Sequence, residues 1–494
     1  MKTNIIAFGM MMVAVLTAVN CRAQILYADF SDPDVCEGND GDYWLTASSF
    51  QCTPGLPVLH STDLDHWTVV NYALTRLMPY EHYDTLHHGC GVWAPSIRRH
   101  GKTYYIYYGD PDYGVFMLKT DDPAGRWEDP VLVLPGKGVI DTCPLWDDDG
   151  HVYLVNAWAN SRCGFNSILT IRELSADGTH AIAEPVMVYD GQPEGNHTIE
   201  GPKLYKKDGY YYILAPAGGV ANGWQVALRS SNIYGPYEAK TVYNQPGIHQ
   251  GGWVNDAFIC FQETGAYGRI LHRLDVGWKD RWPVMSRRKT AEVQKLQCID
   301  KSLLYQWHAN YQDTFGFRTA GGMRVYGHRI DMTAGQETIW NVPNLYLRKF
   351  EGETFCDTLH TTITAKANGQ QSGFVIMGRD YLRLAAELHD GAFVIKEIRN
   401  TDADKGGAET ATTLQTIPAR QYGAGANPNY ECSVTFTIEC QRGALCNIAY
   451  STDGKTFTAL PSPFKAREGV WIGAKYGVYS ITPVAARGWI DLHL

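Results

Sequence analysis

A short motif recurs along the first half of this chain, and it restricts the fold more than any other feature. Gly41-Asp42-Tyr43-Trp44-Leu45, Gly101-Lys102-Thr103-Tyr104-Tyr105-Ile106, Gly150-His151-Val152-Tyr153-Leu154 and Gly209-Tyr210-Tyr211-Tyr212-Ile213 each set a turn glycine ahead of aromatic and β-branched residues. Val254-Asn255-Asp256-Ala257-Phe258-Ile259 is a weaker fifth copy. A second signature follows three of these openings: Ser61-Thr62-Asp63-Leu64 leading to Trp67, Thr120-Asp121-Asp122 leading to Trp127, and Ser230-Ser231-Asn232 leading to Tyr237. Repeats of roughly 45–60 residues, each with several short strands, predict the blades of a β-propeller. A β-sandwich has similar hairpins but gives no reason for the paired signatures to return together.

The length calls for a second domain, because 494 residues exceed the roughly 250–300 at which one core stops growing. Beyond about residue 300 the repeat is lost. Alternating strands such as Leu345-Tyr346-Leu347-Arg348-Lys349-Phe350 and Gly373-Phe374-Val375-Ile376-Met377-Gly378 are then separated by loops rich in Asp, Gly and Asn. The expected architecture is all-β: a signal peptide over 1–23, a five-bladed propeller over 24–285, a linker over 286–302, and a jelly-roll, concanavalin-like β-sandwich over 303–494.

Lys2 followed by the apolar stretch Ile5 to Val19 reads as an export signal, cleaved after Ala23 to leave Gln24 first. The expected location is therefore periplasmic or secreted. A lipid anchor on Cys21 is the minority alternative, because Asn20 replaces the small residue wanted before such a cysteine. No later segment is apolar enough to serve as an integral membrane span. With 43 basic residues against 52 acidic ones and no long basic run, nucleic acid is excluded as a natural partner. The cysteines are scattered and form no C-x-x-C pair, which excludes structural zinc and leaves buried free thiols as the expectation. His87-His88 reads as a solvated loop.

Three acidic positions carry the chemistry. Asp32 lies in Ser31-Asp32-Pro33-Asp34, Asp141 in Ile140-Asp141-Thr142, and Glu200 between Ile199 and the turn-making Gly201-Pro202. Placed in the inner strands of the first, third and fourth blades, they converge on one end of the central channel. Each alone suits a turn or a solvated corner; their equivalent placement in three blades favours a site.

The motifs YADFSDPDV, GVWAPSIRRHGKTYYIYY, VIDTCPLWDDDG and TIEGPKLYKKDGYYYILAPAGG resemble glycoside hydrolase family 43. In the rear half WNVPNLYLRKF, SGFVIMGRDYLRLA and VWIGAKYGVYS resemble the sandwich carried by its β-xylosidase and arabinofuranosidase branch. The resemblance implies that Asp32 is the general base, Glu200 the general acid, and Asp141 the residue that orients the acid and tunes its protonation. It also implies substrate contacts from Phe50, Trp93, Arg269 and His249. No cofactor is required. Relatives often place a channel histidine here that holds a water or a calcium ion, and some carry it where this chain has Gly252; a structural calcium in the channel is the alternative the resemblance carries, and no metal ligands are assigned.

The activity implied is exo-acting, inverting release of a terminal pentose from plant cell-wall polysaccharides, hemicellulose or pectin side chains, or their oligosaccharides. An inverting pair of carboxyl groups stands about 6.5–9.5 Å apart, with a water between base and sugar. The reading leans to α-L-arabinofuranose, because Gln51-Cys52-Thr53-Pro54 after Phe50 lacks the Glu-Trp-Phe run associated with dedicated xylosidases. β-D-Xylosidase, alone or combined, is the alternative. Endo-arabinanase, exo-galactanase and a non-catalytic carbohydrate-binding propeller are the further rivals.

Overall fold

The computed structural model describes residues 23–288, 293–331, 337–423 and 428–494. Residues 1–22 of the expected export signal, Cys21 among them, lie outside the described residues, as do short stretches within the connector and the second domain.

Five sheets form the expected ring. Blade I runs from its inner strand Asp34–Glu37 through Tyr43–Thr46 and Gly55–Ser61 to Thr68–Leu74. Blades II, III and IV begin with Trp93–His100, Val139–Trp146 and Lys203–Lys207, each followed by three further antiparallel strands. Blade V starts at Ile248–Val254, continues through Ala257–Glu263 to Arg269–Lys279, and is completed by the N-terminal strand Gln24–Asp29 and by Trp282–Arg287. Pairing the first strand with the last blade closes the ring and leaves no open seam between blades V and I.

The recurring motif is the second strand of every blade. Gly41, Gly101, Gly150 and Gly209 occupy the tight turn before it with φ between 60° and 86°. In the fifth copy Asn255 takes the same left-handed conformation at φ 49°, which asparagine tolerates better than most residues. That substitution is why the copy looks weak in sequence. The second signature ties the turn before the outer strand. Trp67 Nε1 donates to Leu64 O, Trp127 Nε1 to Pro123 O and the Tyr237 hydroxyl to Ile233 O, at 3.2, 3.1 and 2.8 Å.

The second domain is a sandwich of an eight-stranded and a nine-stranded sheet. Along Asn429–Gln441 the residues Cys432, Val434, Phe436, Ile438 and Cys440 alternate inward, the period of a strand with one buried face. They meet Phe374, Leu384 and Tyr476 of the opposite sheet. Each fully buried side chain of this size contributes about 1.5–3 kcal/mol.

The same core takes in Tyr27, Tyr267 and Ile270 of the propeller, so the two domains share apolar packing. The connector is no free tether. Gln294 exchanges backbone hydrogen bonds with Ile25 and Tyr27, and its amide caps Trp67 from both sides at 2.7 Å. Thr53 and Trp307 exchange backbone hydrogen bonds at 3.2 and 2.6 Å, and the Asn310 side chain bonds both backbone groups of Leu77.

His88 departs from the solvated loop expected of it. Its ring stacks on Trp340 at 3.9 Å and its Nε2 lies 3.0 Å from Trp340 O; burial pushes its pKa down to about 4. His87 stacks on His82 at 3.9 Å. The sandwich covers a surface that the propeller alone would leave wet. Among the described residues seven cysteines are buried, and Cys356 is exposed, so the expectation of buried thiols holds for most but not all of them.

Candidate active site

One cavity of about 140 Å³ at the end of the channel is lined by Asp32, Phe50, Trp93, Asp141, Glu200, His249 and Arg269. All seven residues singled out in the sequence meet there. Ala94, Ile140, Val220, Gln250 and Trp471 complete the lining.

Two of the acids stand slightly off their expected places. Asp32 precedes the inner strand of blade I, and Glu200 precedes that of blade IV; only Asp141 lies within its strand. The reason is local. Asp32 has φ 52°, and Gly201 has φ 59° with Gln250 so close that a Cβ would meet its side chain at 2.5 Å. Both bends lift a carboxylate to the rim just before regular pairing begins. Glu200 is still tied back by its N–H donating to Pro216 O at 3.1 Å. Asp141, at φ 57°, sits on a bulge between Ile140 and Cys143 that turns its side chain inward. Phe50 and Ala94 share the left-handed conformation, at φ 51° and 40°. Such residues cost about 1–3 kcal/mol each, and their concentration around one cavity marks strain held at a functional site.

The base candidate is gripped from two sides. Ser48 Oγ donates to Asp32 Oδ2 at 2.6 Å and itself accepts the Ala94 N–H at 2.7 Å. Arg269 Nη1 lies 3.4 Å from Asp32 Oδ1, its guanidinium resting over Phe261 and Trp471. A carboxylate held this way is fixed as an acceptor. Ser48→Ala removes a hydrogen bond to a charged group, so kcat/KM is expected to fall roughly ten- to a hundredfold in steady-state assays, with the fold retained.

The acid candidates form a coupled pair. Asp141 Oδ2 accepts the Gly201 N–H at 2.8 Å, next to Glu200 in sequence. Burial, and then the negative charge of Glu200, push the Asp141 carboxyl up to about 8, while the Gly201 hydrogen bond pulls the other way. The pair therefore holds a proton near neutral pH. Glu200 is its more open member, with 35% of its side chain exposed, and it meets His249 Nε2 at 3.0 Å. His249, expected against substrate, thus also steadies the acid.

His249 does not furnish a calcium site. Calcium takes about six to eight oxygen ligands. The histidine offers nitrogen, its Nε2 is turned to Glu200, and its buried Nδ1 has no hydrogen-bond partner. Among the described residues no cluster of three or more His, Cys, Asp or Glu could hold a metal ion. The residues do not fit a protein-held calcium, and no step below is routed through one.

The second domain closes the cavity. Trp471 reaches over it from the sandwich, edge-on to Trp93 with ring centres 6.4 Å apart. Asp29 fixes that approach: its Oδ1 accepts the Arg269 N–H and its Oδ2 the Gly473 N–H, both at 2.9 Å. One buried carboxylate thus sets Arg269 and the Trp471 segment relative to each other. Trp471, Asp29 and Ser48 were not singled out as site residues in the sequence. Asp29 lies in the YADFSDPDV motif and Ser48 beside Phe50, but no local signal marks Trp471 as a pocket wall.

Carboxylates gathered around a cavity for one small ring are what cleavage of a glycosidic bond needs, and the class so defined is that of the glycoside hydrolases. Residues 22–253 match Glycosyl hydrolases family 43, and residues 300–493 match the Beta xylosidase C-terminal Concanavalin A-like domain. The chain belongs to glycoside hydrolase family 43. It is 37% identical to a protein of Xylanibacter ruminicola over 265 residues, 52% of this chain and 49% of that one, so it spans about half the length of that relative. A Beta-xylosidase of Formosa agariphila aligns at 25% identity over 95% of this chain and 88% of its own. A Non-reducing end alpha-L-arabinofuranosidase of Bacteroides ovatus is 34% identical over 43% of this chain and 41% of its own. Among solved structures, the xylan beta-1,4-xylosidase of Bacillus halodurans superposes with a TM-score of 0.75 at 20% identity, over 96% of this chain and 100% of that one, which establishes the shared fold.

Proposed function

We propose that this chain is an exo-acting, inverting glycosidase that releases one terminal pentose from plant cell-wall polysaccharides or their oligosaccharides. The observation that carries the reading is the small cavity of about 140 Å³ with Asp32, Asp141 and Glu200 on its wall. We read a pocket of this size as room for one terminal sugar ring. Glu200 gives its proton to the glycosidic oxygen as the bond breaks. Asp32 takes a proton from the water that attacks the anomeric carbon from the opposite face. Asp141 shares the proton of the pair and orients Glu200 through the Gly201 turn.

The sugar proposed is α-L-arabinofuranose. The second reading, β-D-xylose, is favoured by the name of the Formosa agariphila relative, which aligns over nearly the whole chain. Paired p-nitrophenyl α-L-arabinofuranoside and β-D-xyloside assays decide between them, and product analysis on oligosaccharides reads the mode. Monosaccharide as the sole product, released with inverted anomeric configuration in proton NMR, is the expected result. Oligosaccharide products would sink the exo reading, and no release from any pentoside would favour a binding propeller. We place the reaction outside the cytoplasm on the strength of the Ile5–Val19 stretch; N-terminal sequencing of the exported protein checks it.

A further inference from the structure

Three residues beyond Glu200, on the inner strand of blade IV, Lys203 is entirely buried. Its Nζ donates to Pro95 O at 2.8 Å and to Ser96 Oγ at 2.7 Å. The serine hydroxyl proton is already committed to Thr142 O at 2.6 Å, so the lysine must be the donor in its bond to Ser96. Both acceptors belong to uncharged groups. The nearby carboxylate Asp34, fully buried in the same channel, is answered at Oδ2 by Arg98 and by the Ile97 N–H, while its Oδ1 has no hydrogen-bond partner among the described residues; Arg98 also reaches Cys143 Sγ at 3.0 Å. Lys203 makes no ion pair among the described residues. A buried ammonium without one is costly, by several kcal/mol of desolvation, and calls for a use.

Its position supplies one. The turn just before the Lys203 strand provides the Gly201 N–H to Asp141, and through Ser96 the lysine is linked to the carbonyl of Thr142, the residue after Asp141. We propose that Lys203 is a positioning residue for the acid pair, clamping the Thr142 peptide from below and supplying a positive charge beneath Asp141 and Glu200. The proposal rests on Glu200 being the acid. The charged and titratable groups that share this region are Glu200, Lys203 and Tyr205 from blade IV, Asp32, Asp34 and Cys36 from blade I and its entry, Arg98 from blade II, Asp141 and Cys143 from blade III, and His249 and Arg269 from blade V. Burial and the Glu200 charge dominate the proton affinity of Asp141, and the Lys203 charge is a smaller influence that holds it down.

The test compares kcat/KM against pH for the wild-type enzyme, Lys203→Met and Lys203→Gln. Removing the positive charge strengthens proton binding by Asp141, so the alkaline limb is expected to move to higher pH in both variants, by a fraction of a pH unit. Lys203→Gln keeps a donor for Pro95 O or Ser96 Oγ and is expected to hold KM within a factor of two. An alkaline limb that stays in place, with activity merely lowered at every pH, would reduce Lys203 to a structural filler. If Lys203→Met does not fold, Lys203→Gln carries the comparison. If the wild-type protein hydrolyses no pentoside, the family assignment of the acid is at fault, and isotope-edited infrared titration of the carboxyl groups in wild type and Lys203→Gln still decides the proposal. An unshifted Asp141–Glu200 titration overturns it.

Discussion

Glu200→Gln is expected to remove nearly all hydrolysis of unactivated pentosides while the protein keeps its fold. Glutamine preserves the size of the side chain and its contact with His249, but it cannot give up a proton. General acid–base groups contribute about 10²–10⁴-fold each, and kcat on an oligosaccharide should fall by that order. Asp32→Asn should fall as far for a different reason: the water has no acceptor for its proton. The two losses are separable. A substrate with an excellent leaving group, such as a dinitrophenyl pentoside, needs no protonation of the departing oxygen, so Glu200→Gln should recover most of its rate on it. Asp32→Asn should not recover, because attack by water is still unassisted. Circular dichroism and thermal melts check the fold. Full activity of either variant on oligosaccharides would overturn the assignment, and the opposite recovery pattern would exchange the two roles.

Asp141→Asn is expected to trade activity for stability. The Asp141 carboxyl is raised in the folded protein from an ordinary value near 3.8 to about 8. A carboxyl raised on folding favours the folded state while it is protonated. That contribution is fully present below about pH 4 and is lost as pH climbs through about 8. Asparagine mimics the protonated form at every pH and can still accept the Gly201 N–H. The variant and the wild type should therefore melt at similar temperatures near pH 4, and the variant should gain steadily toward pH 8, with a final advantage on the order of a few kcal/mol. Differential scanning calorimetry across this range measures the difference directly. A pH-independent difference would mean that Asp141 is not the titrating group. Activity should drop at all pH values, because the proton shared with Glu200 is gone. In the wild type the activity should decline as pH rises through about 8, where the pair loses that proton. A strained and charged site of this kind is a common reason for function to lower stability.

The ring was legible because propeller blades are built alike. A left-handed turn residue followed by an aromatic second strand has to recur in each of them, and Gly41, Gly101, Gly150 and Gly209 do so in sequence. Asn255 shows where the reading weakens: the conformation is kept, but a different residue provides it. Asp141 was legible for a related reason, since a repeat fixes which strands face the channel. The inner-strand placement of Asp32 and Glu200 was less accurate. Bends at φ 52° and at Gly201 move both ahead of the regular strand, and the spacing of a repeat does not register such displacements.

The sequence by itself determined the all-β class, the five blades, the second sandwich and the three acids, because each depends on periodicity or on residue types with few alternative uses. Only the tertiary structure decided how the cavity is walled and held. Trp471 comes from the other domain, Asp29 grips Arg269 and Gly473 at once, Ser48 aims Asp32, and His88 is covered by Trp340. Apart from the Ser48–Asp32 bond, these contacts join segments far apart in the chain, through side-chain hydrogen bonds and ring packing. Neither member of such a pair carries a local pattern that names the other, and the contacts of Trp471, Gly473 and Trp340 with the propeller exist only once the ring and the sandwich have been pressed together by their shared apolar core.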